Sequence, residues 1–120
     1  MTRRMDRINV LMLQEISRIL SLELRDPRLA TVVSITKVET SPDLKNARVL
    51  VSVLGDKDEK RKSLQALKSA SGFIHHHLRE NLSLRIIPRL EFELDLSIER
   101  GAEMLELIRQ VTSGESPEKK

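Results

Sequence analysis

Cysteine, tryptophan and tyrosine are absent from this 120-residue chain, and phenylalanine occurs only at Phe73 and Phe92. Without cysteine there are no disulfides, no thiolate nucleophile and no Cys-ligated metal. Phe92 belongs to an alternating set that turns it toward the core, so base recognition by stacking on an aromatic sheet is excluded by inventory. No apolar run approaches the roughly 20 residues that span a bilayer. The basic start Met1-Thr2-Arg3-Arg4 leads into Asp6, Gln14 and Glu15, not a secretory signal core. A cytoplasmic protein with no membrane contact is expected.

Enzyme signatures are missing as well. There is no G-x-S-x-G, no H-E-x-x-H, no Walker loop and no Gly-rich strand-to-helix turn. Glu39, Asp43 and Asp95 fall near strand ends, but no base pairs with them, and turn and cap duties account for them. No catalytic residue and no cofactor are expected. His75-His76-His77 invites a metal reading, yet successive helical residues are rotated by about 100°, so three in a row cannot converge on one ion. His76 with Glu80 is the one usable pair, and two ligands do not make a site.

What the chain has is charge, unevenly placed. Net charge is +3. Residues 60–89 carry Lys60, Arg61, Lys62, Lys68, Arg79, Arg85 and Arg89 against Glu80, a local +6. Residues 90–109 carry Glu91, Glu93, Asp95, Glu99, Glu103 and Glu106 against Arg100 and Arg109, a local −4. A polyanion would be attracted to one face and repelled by the other.

The length suits a single domain with one core. From Arg3 to about Leu24, Met5, Ile8, Leu11/Met12, Ile16, Ile19/Leu20 and Leu24 mark one helical stripe, and Asp26-Pro27 closes that helix. Leu29–Glu39 reads as a strand, Thr40-Ser41-Pro42-Asp43 as a turn, and Asn46–Leu54 as a second strand antiparallel to the first. Asp56 or Asp58 caps a helix that runs to about Asn81 with Leu64, Leu67, Ile74, Leu78 and Leu82 on its buried side. Leu90, Phe92 and Leu94 alternate with Arg89, Glu91, Glu93 and Asp95, giving a third strand with an apolar and an acidic face. A last helix after Ser97 is expected to bury Ile98, Met104/Leu105, Ile108 and Val111. The expectation is an α+β domain over residues 1–111, a three-stranded sheet with helices packed on one face, and a disordered tail over 112–120.

Gly72 interrupts the long helix at the centre of its basic stretch. A mid-helix glycine costs about 1 kcal/mol relative to alanine, and its missing Cβ permits a bend or the close approach of another backbone. With Ala70 and Ser71 it forms a small-residue kink flanked by Lys60, Arg61, Lys68, Arg79, Arg85 and Arg89. That arrangement suits phosphate contacts to main-chain amides, with cations around them. KH domains clamp a nucleic-acid backbone in this way, through a G-x-x-G loop between two helices.

Glu23-Leu24-Arg25-Asp26-Pro27-Arg28-Leu29 at the end of the first helix and Val38-Glu39-Thr40-Ser41-Pro42-Asp43-Leu44 at the strand turn resemble signatures of the ribosome-binding factor A family. Ala70-Ser71-Gly72 is similar to its Ala-x-Gly kink, and Leu84-Arg85-Ile86-Ile87-Pro88-Arg89-Leu90-Glu91-Phe92 to the approach to its third strand. The resemblance covers nearly the whole chain and implies a type II KH fold with a kinked helix at Ala70-Ser71-Gly72. It implies a binding factor for free 30S subunits that assists late assembly and maturation of the 5′ end of 16S ribosomal RNA, with a role in growth in the cold. By position it carries over Arg25 and Arg28 as the basic residues of the first signature, and their charge adds them to the RNA-binding candidates. Leu50 departs from the family, many of whose members carry an aromatic there. A monomer with no metal is expected, its partner being 16S rRNA within the 30S subunit. The alternative is a protein-interaction module that docks a ribosomal protein or another assembly factor without touching RNA.

Overall fold

Met5, Ile8, Met12, Ile16 and Ile19 recur every three or four residues, and in the computed structural model, which describes residues 3–24 and 32–113, they form the buried stripe of helix α1, Arg3–Leu22. Strands β1, Val32–Thr40, and β2, Asn46–Leu54, pair antiparallel, with a bulge between Ile35 and Lys37 that leaves Thr36 unpaired. Ala47, Val49, Val51 and Val53 enter the core from β2 while Arg48, Leu50 and Ser52 take the other face, as expected. The Asn9 side-chain carbonyl accepts a hydrogen bond from the Thr40 amide at 3.0 Å and pins α1 to the end of β1.

The helix expected to be interrupted at Ala70-Ser71-Gly72 is two helices, α2 (Lys57–Ser69) and α3 (Ser71–Asn81). Asp56 is the cap: its carboxylate accepts from the Glu59 amide at 2.8 Å, and Glu59 accepts in return from the Asp56 amide at 3.1 Å. Glu59 folds over Gly55 to do so, and a Cβ on Gly55 would lie 2.9 Å from it. Leu67, Ile74 and Leu78 are fully buried from this pair of helices. They form the crossover that a parallel pairing requires, since β3 (Arg89–Leu94) runs parallel to β2 and the sheet order is β1-β2-β3.

Two expectations are corrected. Helix α4, Ser97–Thr112, leaves the described part of its apolar stripe open: Met104, Leu105, Leu107, Ile108 and Val111 are all 48–70% exposed, and α4 packs along no other described element, while the side chain of Ile98 lies outside what the structure describes. Among the described residues it is α1, α2 and α3 that pack on the sheet. The outer sheet face is also less acidic than β3 alone suggests. Arg48 from β2 binds Glu93 at 2.9 Å and Glu39 at 3.0 Å, cancelling charge that a single strand shows in isolation. Residues 29–31 of the first expected strand, Arg25, Arg28 and the tail from residue 114 on lie outside the described residues.

Candidate nucleic-acid interface

The break between α2 and α3 falls at Ala70, two residues before Gly72, with φ −89° and ψ 3°. The Ala70 amide still donates to the carbonyls of Ala66 and Leu67, closing α2, while its carbonyl accepts from the Ile74 amide at 2.9 Å and opens α3. Helix α3 starts without a side-chain cap. The amides of Ser71, Gly72 and Phe73 are therefore the first-turn donors of a helix that bends away from its predecessor. A Cβ added to Gly72 would meet nothing within 4 Å. The glycine does not serve a packing contact of the fold; it faces open space.

That space is a groove of about 870 Å³ between the kink and β3. Lys68, Ser71, Gly72 and His75 form one wall, Lys45 and Arg89 one end, Ile86 and Ile87 part of the rim, and Leu90 to Glu93 the other wall. Strand β3 is an edge of the sheet. The Arg89 amide donates to Lys45 O at 2.9 Å and the Asp95 amide to Val51 O at 2.7 Å, so the odd-numbered residues bond to β2. By alternation the backbone groups of Leu90 and Phe92 point to the free edge along which the groove runs. The groove thus offers cations, helix-first-turn amides and a strand edge that is unpaired among the described residues.

Of the residues expected from sequence, Lys68, Ser71, Gly72 and Arg89 line the groove, and Ala70 sets the bend above it. Lys60 and Arg61 do not: Lys60 Nζ lies 2.8 Å from Glu99, and Arg61 is 2.6 Å from Asp58, as expected of cations spaced one turn from a carboxylate or facing a neighbouring helix. Arg79 and Arg85 are exposed but lie off the groove. Arg25 and Arg28 are outside the described residues. Sequence reasoning missed Lys45 and did not place His75 here. Lys45 is carried to Arg89 by the parallel pairing of β2 with β3, which no local pattern announces. The turn that presents it is fixed by Asp43, whose carboxylate accepts from the Ser41 hydroxyl at 2.7 Å and the Lys45 amide at 3.0 Å; these bonds lower the Asp43 pKa.

His75 Nε2 lies 3.1 Å from the carbonyl of Ile87, which can only accept, so the ring donates and ties α3 to the segment before β3. Glu93 is held ionised by the Arg48 guanidinium, which lowers its pKa and offsets its charge on the groove wall.

A single mixed sheet, covered on one face by α1 and the α2–α3 pair and bearing a cation-lined groove at its free edge, defines an α+β module of the binding type. A profile described as ribosome-binding factor A matches residues 4–108. The factor of that name from Acetivibrio thermocellus is 46% identical over 110 residues, covering 92% of this chain and 89% of its own. Its counterpart from Caldanaerobacter subterraneus subsp. tengcongensis is 39% identical over 112 residues, covering 93% and 92%. The chain belongs to the ribosome-binding factor A family.

Solved structures agree. A Thermotoga maritima ribosome binding factor A superposes with a TM-score of 0.69 at 32% identity, covering 76% of this chain and 86% of that one. A homology model of the Thermus thermophilus factor, as fitted into a cryo-electron-microscopy map of its complex with the 30S subunit, superposes with a TM-score of 0.62 at 24% identity, covering 73% and 91%. That second likeness bears on fold alone.

Proposed function

We propose that this protein is a cytoplasmic, monomeric binding factor for free 30S subunits that holds 16S rRNA in the groove beside Ala70-Ser71-Gly72, in the manner of a type II KH domain. Through that contact it assists late 30S assembly and maturation of the 16S 5′ end, a step that matters most in the cold. It acts by binding, not by turnover. The observation that carries the reading is the convergence of Lys45, Lys68 and Arg89 on a groove whose Gly72 has empty space in front of it. Phosphates would lie on the kink side, near the first-turn amides and Lys68. The carboxylate of Glu91 disfavours them on the strand side.

The test is cosedimentation of the purified protein with free 30S subunits and with 70S ribosomes at several salt concentrations. Three phosphate contacts to a single strand predict a log–log salt slope of about −2. The double variant Lys68→Glu, Arg89→Glu should lose most of its 30S affinity while keeping its circular dichroism. Retention of full, salt-dependent binding by that folded variant would remove the groove from the interface. Salt-indifferent binding of the parent would favour a purely protein contact instead.

A further inference from the structure

Helix α4 presents Met104, Leu107, Ile108 and Val111 at i, i+3, i+4 and i+7, flanked by Leu105, and all five are exposed. This is the anchor spacing with which an amphipathic helix enters an apolar groove. The helix is also held at its base. Asp95 accepts from the Thr36 hydroxyl at 2.6 Å and from the Ser97 amide at 2.9 Å, and Glu99 receives Lys60 at 2.8 Å. A presented apolar face thus stands on a fixed footing.

What covers it is narrowed by charge, by area and by position. The helix carries Glu99, Glu103 and Glu106 against Arg100 and Arg109, a net −1, and Arg109 is bound to Glu106. A polyanion finds no excess of cations on it. A second copy is disfavoured by area: sixteen residues make a strip about 24 Å long and about 10 Å wide, a footprint of roughly 240 Å², against about 800 Å² per partner in a standard interface. A small strip adds usefully to a contact made elsewhere, and its base adjoins the candidate groove. The groove wall ends at Glu93, and α4 begins four residues later at Ser97. Gly101, with nothing within 4 Å of where its Cβ would be, leaves the start of the stripe open to close approach.

We infer that α4 docks its Met104–Val111 face into an apolar groove on a protein of the 30S subunit that adjoins the rRNA held at the kink. The inference rests on the 30S reading above. RNA contact and protein contact then belong to two surfaces of one chain.

The experiment replaces Leu105 with the photocrosslinker p-benzoylphenylalanine and irradiates the protein on purified free 30S subunits. A crosslink to one subunit protein is expected. A crosslink to RNA, to a second copy of the chain or to nothing overturns the inference. In parallel, Ile108→Glu and Val111→Asp should each lower 30S affinity about tenfold with an unchanged salt slope, whereas Lys68→Glu should reduce the slope. Unchanged affinity in both α4 variants also overturns it. If the parent protein does not bind 30S at all, the rRNA reading fails first and this one falls with it.

Discussion

Lys60 Nζ lies 2.8 Å from Glu99 Oε1, joining α2 to the first turn of α4, and its side chain is only 21% exposed. An ammonium held by a carboxylate must release that partner before it can take a phosphate. Lys68 lines the groove instead. Lys68→Ala should weaken 30S binding severalfold and make the log–log salt slope shallower by about 0.7, the share of one phosphate contact. Lys60→Ala should leave the slope where it was. Anisotropy titrations across a salt series measure both, and equal slope changes would return Lys60 to the interface.

Gly72 separates stability from binding. It has no left-handed φ, and an added Cβ meets nothing. Alanine is favoured over glycine in a helix by about 0.8–1 kcal/mol, so Gly72→Ala should raise the thermal midpoint by a few degrees. If a ligand backbone approaches there, the same change should lower 30S affinity. A variant both more stable and equally tight would show that nothing approaches Gly72.

The sequence made most of the scaffold legible because its signals are local. The alternation from Ala47 to Val53 reproduces β2 at both ends, and the stripe Met5, Ile8, Met12, Ile16, Ile19 is α1. What it concealed is set by pairing between distant segments. Lys45 meets Arg89 only because β2 and β3 run parallel. Arg48 neutralises Glu93 only across that same pair, and Lys60 is drawn off by Glu99, 39 residues away. The α4 stripe departs from its expected burial for a related reason: amphipathicity shows that a helix has an apolar face, not what covers it.

The two small-residue neighbours Phe73 and Ile74 should behave oppositely. Ile74 is fully buried in the core, while Phe73 is 43% exposed and rests on His77, ring centroids 4.5 Å apart. Ile74→Ala removes buried volume and should cost about 2–5 kcal/mol. Phe73→Ala should cost under about 1 kcal/mol, as for other largely exposed positions. Urea denaturation decides it. Comparable losses would mean that Phe73 supports the kink more than its exposure indicates.

Acid should loosen the attachments between elements before it affects the core. Glu15 of α1 accepts from the Arg18 guanidinium and from Asn81 Nδ2 of α3 at 2.9 Å; these bonds lower its pKa. At the base of α4, bonds from the Thr36 hydroxyl and from the Ser97 hydroxyl and amide hold Asp95 down to about 2. A carboxylate whose folded pKa is depressed stabilises the fold fully above its unfolded pKa, near 4, and loses that contribution as pH falls through the folded value. The thermal midpoint should therefore be insensitive to these groups from pH 5 to 8 and should fall from about pH 4 toward pH 2. Asp95→Asn cannot titrate, so its midpoint should start lower at pH 7 and converge with the parent near pH 2. Parallel melting curves at pH 7, 4 and 2 would mean that the Thr36–Asp95–Ser97 bonds contribute nothing in solution, and that α4 stands on Lys60 and Glu99 alone.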